Sequence, residues 1–218
     1  MYTSEAINLF TDQVVATPLL EWIAIAAAIA EVLYARANKV WLYPAGIIST
    51  AIYTWLFCRP TIRLYADALL NTYYFAMSIY GWALWSKNNG TTPLPVTKAD
   101  RKDWVMIVTF VAAGWLCLYL LLTRVFPAIF NGYIISDVAG FDALISSAAW
   151  VGMWLLVRRK IENWLLLNVS NIIAVPILLY KEMPFTAALT LFLFIVAIFG
   201  YLEWKKIYRL QSSTVSSL

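Results

Sequence analysis

Seven stretches of this chain are apolar over nearly the length needed to cross a bilayer, and that pattern leaves few folds open. They fall at about 18–36, 40–57, 64–86, 104–123, 141–157, 163–180 and 185–204. About 30 Å of hydrocarbon takes roughly 20 helical residues. Lipid offers the backbone no hydrogen-bond partner, so such spans must be helices. Strands of a membrane barrel would alternate apolar and polar residues, and these stretches do not. Composition agrees: 62% of the 218 residues are apolar and 13% charged, with a mean hydropathy of +0.73. The expected fold is all-α, a polytopic membrane protein with seven transmembrane helices. Residues 1–17 lack the basic start of a cleavable signal and are read as an extracytoplasmic segment.

The basic residues divide unevenly between the two sides. Arg36, Lys39, Lys87, Lys98, Arg101, Lys102, Arg158, Arg159, Lys160, Lys205, Lys206 and Arg209 fall on one side. Arg59, Arg63, Arg124 and Lys181 fall on the other. That bias places the N-terminus outside and the C-terminus in the cytoplasm of a bacterial inner membrane. It also accounts for the net charge of +4 without nucleic acid.

An internal repeat is visible. Gly81-Trp82-Ala83-Leu84-Trp85-Ser86-Lys87 and Gly200-Tyr201-Leu202-Glu203-Trp204-Lys205-Lys206 share one pattern, Gly-aromatic-x-x-Trp-x-Lys. Upstream, Arg36 precedes Trp41 and Arg159 precedes Trp164 at equal spacing. Residues 18–86 and 141–204 then form two three-helix units. A cytoplasmic loop, 87–103, a linker helix, 104–123, and an outer loop, 124–140, join them, and 205–218 is a cytoplasmic tail. One linking crossing gives both units the same orientation, a parallel 3+1+3 repeat of the kind transporters use.

Chemistry is constrained by what is missing. The chain has no histidine and two cysteines, Cys58 and Cys117, too far apart in sequence for a metal pair. No nucleotide-binding loop is present. No enzymatic activity, metal or cofactor is expected. A retinal Schiff base needs a mid-helix lysine, and Lys181 and Lys205 sit at helix ends.

Polar residues inside the spans follow helical spacing. Asp67, Asn71, Tyr74 and Ser78 share one face, as do Trp164, Asn168 and Asn171. Asp142, Ser146 and Trp150 form a third stripe, Ser49 and Tyr53 a fourth. Such stripes either surround a polar path or tie helices together. Amides, hydroxyls and aromatic faces suit a small polar or cationic ring. Asp67 and Asp142 either cap their helices or attract a cation. Glu31 is either paired or part of the path. Pro44 and Pro176 interrupt the two middle helices and act as hinges or static kinks. From the residues alone, a non-transporting structural or sensory subunit is the alternative to a carrier.

With these landmarks, the chain resembles the PnuC (Pnu) family of bacterial vitamin transporters over about residues 18–206. The segments that carry the likeness are Leu64-Tyr65-Ala66-Asp67, Ile79 to Trp85, Arg159-Lys160-Ile161-Glu162-Asn163-Trp164-Leu165-Leu166 and Gly200 to Trp204. The resemblance implies uptake of an unphosphorylated vitamin by facilitated diffusion, with a cytoplasmic kinase trapping the product. It also implies a fold similar to SWEET sugar transporters and a homotrimer in the lipid. Members carry nicotinamide riboside, thiamine or riboflavin. Two departures from the nicotinamide riboside pattern favour thiamine, with nicotinamide riboside the alternative. Leu167 stands where a second tryptophan is usual, and Asn71, with Tyr73 and Tyr74, where glutamine is common.

Overall fold

The computed structural model describes residues 2–59, 65–86 and 95–215; of residues 2–6, 65, 66, 214 and 215 only the backbone is described. Arg63, Leu64 and Lys87, with residues 88–94 of the expected cytoplasmic loop, lie outside the described residues. The helices are α1 (Tyr2–Ala16), α2 (Leu19–Arg36), α3 (Leu42–Phe57), α4 (Tyr65–Ser86), α5 (Arg101–Leu120), α6 (Phe126–Ile129), α7 (Ala139–Val157), α8 (Asn163–Tyr180) and α9 (Pro184–Val215).

Several boundaries differ from the sequence reading for local reasons. Within residues 1–17, which the sequence reading gives no helix, α1 forms and bends 104° away from α2 at Thr17-Pro18. Its Gln13 donates to the Glu182 carbonyl at 2.7 Å and accepts from the Phe185 amide at 3.2 Å. Phe10 and Trp22 pack on the Phe185 ring. The outer loop from 124 is shorter than expected. A π-helical turn over Leu121–Val125 carries α5 into α6, with Pro127 in the first turn of α6. At its other end α5 begins early, at a capping box in which Asp100 and Asp103 accept each other's amides. The tail expected from 205 continues α9 to Val215.

Four helical rods are long and apolar enough to cross a membrane unaided: Arg101–Ile129, Ala139–Val157, Asn163–Tyr180 and Pro184–Ser213; the bent α1–α2 pair makes up to five. The shorter α3 and the polar α4 do not pass that test by themselves. Their place in the fold explains how they are tolerated. α3 packs between α2 and α4, and α8 between α7 and α9; α4 then packs on α7 and α9 on α2. The six helices close into a ring in which α3 and α8 stand on opposite sides, and α5 packs outside against α7. That outer packing depends on Gly114, since a side chain there would meet Ser147 Oγ at 2.6 Å. The Ser147 hydroxyl in turn donates to the Val111 carbonyl.

The α2–α3 and α7–α8 turns match bond for bond. Asn38 and Arg159 both adopt φ 55°. Their amides donate to Ala35 and Leu156, and the next amides, of Lys39 and Lys160, to Tyr34 and Leu155. This is the double bond pattern that closes a helix on a left-handed residue. In this register Trp164 corresponds to Tyr43, and the expected pairing of Trp164 with Trp41 is corrected. Trp41 is 62% exposed at the start of α3. Tyr43 and Trp164 are buried, each lying against a glycine, Gly81 and Gly200. Each also meets a tryptophan edge-on, Trp85 at 5.1 Å and Trp204 at 5.7 Å. Pro44 sits in the first turn of α3, where no helical bond is lost, so it is not an interruption; Pro176 does lie within α8.

A methyl group on Gly81 or Gly200 would come within 2.2 and 2.7 Å of the opposing rings, whereas Gly140 has open space. Gly81→Ala and Gly200→Ala are therefore expected to destabilise by roughly 1–3 kcal/mol through overpacking, and Gly140→Ala to leave stability nearly unchanged. Thermal unfolding in detergent measures the difference.

Candidate functional site

One end of the ring is sealed. Ala35, Leu42, Tyr43, Met153, Leu156, Val157, Ile161, Trp164, Ala197 and Trp204 form a buried cluster, with Leu84 and Trp85 packed against it. All six ring helices and the α7–α8 turn contribute. Two indole N–H groups lock the seal between neighbouring helices of the ring: Trp85 of α4 donates to the Val157 carbonyl of α7 at 3.3 Å, and Trp204 of α9 to the Ala35 carbonyl of α2 at 2.9 Å. Arg159, 1% exposed, stacks over Trp85 at 4.0 Å and donates to Asn38. Burial pushes its guanidinium down to about 10, so it keeps its charge at neutral pH. At the rim, Arg36 pairs with Glu203 at 3.2 Å.

The segment after α4 crosses this sealed end. Thr97 exchanges backbone hydrogen bonds with Arg159 and Ile161, and the Val96 amide donates to Gln211 of α9. Glu162 accepts from the Ala99 amide at 2.8 Å, and Asn163 donates to the Lys160 carbonyl. The Glu162-Asn163-Trp164 motif thus holds a loop, a turn and the seal. Trp164, expected among substrate-binding residues, is 1% exposed beneath Gly200 and belongs to the seal.

The other expected residues fall at successive heights above that end, at about 1.5 Å per residue. Ser49 on α3, Trp150 on α7 and Asn171 on α8 stand roughly 11–12 Å up, with Asn168 a turn lower. Tyr53, Tyr74 and Ser146 follow at roughly 17 Å, then Asn71 and Asp142 at roughly 22 Å. Tyr74 packs against the sealing cluster. Asn168, Asn171, Ser146, Trp150 and Tyr53 are half-buried and Ser49 is buried. The Trp150 indole nitrogen and the Asn168 carbonyl oxygen are buried without a partner among the described residues. Asn71 spends its amide on the Asp67 carbonyl of its own helix, 2.8 Å away. Tyr53 stacks on Phe57.

At the far end, Asp67 is exposed. Lys181 holds both carboxylate oxygens of Asp142 at 2.7 Å, so that acid is already paired. Sequence reasoning missed Tyr73, which lies beside the stripe rather than on it. Its ring stacks on Trp150 at 5.0 Å and its hydroxyl donates to the Trp150 carbonyl, tying α4 to α7. It also missed Arg159 and Asn38, whose shared left-handed φ no sequence pattern announced. Beyond Tyr73 and Trp150, a groove of about 230 Å³ opens sideways, lined by Phe110, Gly114, Ser147, Val151 and Trp154. It does not reach the asparagines. Among the described residues no three side chains cluster so as to hold a metal.

A helical ring with polar groups in tiers over one sealed end fits a multi-pass membrane transporter. A model of the family described as nicotinamide mononucleotide transporter matches residues 18–206, and the chain belongs to that family. It is 28% identical to the nicotinamide riboside transporter PnuC of Escherichia coli K12, across 91% of each chain. The same identity and coverage hold for the protein of that name from Shigella flexneri. A crystal structure of the vitamin B3 transporter PnuC superposes with a TM-score of 0.70, covering 94% of this chain and 90% of that one at 19% identity. That likeness concerns the fold.

The Lys181–Asp142 pair is partly buried, so removing one partner strands the other charge. Lys181→Met is expected to lower the melting temperature more than the double change with Asp142→Asn. A double-mutant cycle should return a coupling of about 1 kcal/mol.

Proposed function

We propose that this transporter takes up nicotinamide riboside by facilitated diffusion through the middle of the six-helix ring. The observation that carries the reading is the set of tiered amides, hydroxyls and aromatic faces above the sealed end, with the Trp150 and Asn168 polar atoms buried and without a partner among the described residues. The named tiers between Ser49 and Asn71 contain no basic side chain. They suit a cationic ring and a ribose better than a phosphate. The relatives named PnuC are nicotinamide riboside transporters, which supports the riboside over the mononucleotide of the family's description. The basic residues Arg36, Lys39, Lys98, Arg101, Arg158 and Lys205 gather at the sealed end. That end is then cytoplasmic, the N-terminus outside, and the carrier is closed inward.

The matching turns and crossed tryptophan bonds support two parallel three-helix halves joined by α5, a 3+1+3 plan of SWEET type. Residues 18–86 and 141–204 are the halves. Rocking of one half against the other would break the Trp85, Trp204 and Arg159 contacts to open the inner end, with Pro176 a place for α8 to bend. Asn71, Tyr74, Asn168, Asn171, Ser146, Trp150, Ser49 and Tyr53 would line the path, with Asp67 and Asp142 at its mouth. A cytoplasmic kinase trapping the product and a homotrimeric assembly complete the picture by resemblance. Thiamine is the second reading. Leu167 packs against Gly152 and the sealing cluster, leaving one tryptophan face fewer for the ring.

Proteoliposomes should pass labelled nicotinamide riboside without ATP or an ion gradient, and faster than thiamine. Asn171→Ala should weaken binding roughly tenfold, the scale of one lost hydrogen bond in a buried site. Flux that needs a proton or sodium gradient would remove facilitated diffusion, and faster passage of thiamine would reverse the substrate order.

A further inference from the structure

Glu31 is an intramembrane carboxylate without a counter-ion. The ion pairs among the described residues are Arg36–Glu203, Lys160–Asp103 and Lys181–Asp142. No hydrogen bond reaches Glu31 from any described residue. Its Oε1 lies 2.7 Å from the point where a Gly46 side chain would begin, and Ser78 Oγ lies 2.9 Å from the same point. Ser78 is fully buried and its hydroxyl has no partner among the described residues. Tyr43 is likewise fully buried with an unpartnered hydroxyl, set against Gly81, one turn along α4 from Ser78. Tyr43 and Tyr74 are both within electrostatic range of Glu31. An acid and two idle hydroxyls thus lie near one another on the inner side of the tiers. Glu31 stands five residues from the end of α2, roughly 8 Å up, level with Asn168 and just below Trp150.

Packing does not demand this charge. Gly152 on α7 and Leu167 on α8 lie 121 positions beyond Glu31 and Gly46, and there the large and small partners are exchanged. A side chain on Gly152 would meet Leu167 at 3.0 Å. A leucine fills that helix crossing. At the crossing of α2 and α3 the same space is filled by a carboxylate, which is costly in hydrocarbon unless something offsets it. Between the two crossings, the difference is electrostatic.

We infer that Glu31 supplies the counter-charge for a positively charged ring in the path and sets the carrier's preference for cationic over neutral cargo. The inference rests on the central path proposed above. Ser78 and the Tyr43 hydroxyl, both without a partner among the described residues, are free to turn toward the carboxylate or the cargo, while the amides of α8 and the Trp150 face read the rest of the molecule.

The test compares nicotinamide riboside with its 1,4-dihydro form, which keeps the shape and loses the positive charge. Uptake of each into proteoliposomes is measured, with protein-free vesicles subtracted. The unaltered protein should prefer the cation, and Glu31→Gln should reduce the cation-to-neutral ratio at least tenfold. Glu31→Leu, which copies the Leu167 packing, should do the same and guards against a fold defect in the first variant. Glu31→Asp should keep part of the preference. A ratio unchanged in both neutral variants, with cation uptake intact, would overturn the counter-charge role alone. Uptake of neither compound by the unaltered protein would overturn the transport reading itself.

Discussion

Hydrocarbon cannot hydrogen-bond, and every polar group in this chain's spans has to find its partner or its use inside the protein. The six-helix ring meets that demand. It lets α4 carry Asn71, Tyr74 and Ser78, and it lets the short α3 stand between two longer neighbours. Around the outside, α5 and the outer faces of α8 and α9 offer lipid what it can solvate. The ring itself depends on close approaches at glycine: Tyr43 over Gly81 and Trp164 over Gly200. These bring large rings into the wall without widening it, and the tryptophans beside them, Trp85 and Trp204, reach across to the opposite half. The local turn, the helix crossing and the sealed end are consequently one construction.

The α2–α3 and α7–α8 turns are alike in backbone and unlike in chemistry. Asn38 and Arg159 occupy corresponding left-handed positions and bond to each other, yet only Arg159 brings a charge to the seal. Tyr43 and Trp164 fill corresponding places, one with a hydroxyl and one with an indole. Glu31 against Gly46 and Leu167 against Gly152 fill corresponding crossings, one charged and one apolar.

Much of this was legible from sequence because the membrane imposes it. Helix positions came from the apolar runs, and the internal likeness from Gly81 to Trp85 and Gly200 to Trp204. The register of that likeness was misread at Trp41, since a tryptophan match outweighed the turn geometry that places Tyr43 opposite Trp164. Helical periodicity groups Asn71 with Tyr74, but it cannot tell a lining face from a packing one. Trp164 shares a stripe with Asn168 and Asn171 and still belongs to the seal. Tyr73 was overlooked because its role comes from a neighbouring helix, through the Trp150 ring and carbonyl. Pro44 illustrates the same limit: its meaning changes entirely when α3 begins two residues before it. Helix α1 was missed because its anchor is Gln13 on the distant α8–α9 turn.

The account as a whole requires the cargo to sit within the ring rather than beside it. A structure of the protein with nicotinamide riboside bound decides this most directly. Density for the ligand between α3 and α8, touching Trp150 and Asn171 above the Trp85–Trp204 seal, is the predicted result. Density in the sideways groove between Phe110 and Trp154, with the ring interior filled by side chains alone, would contradict it.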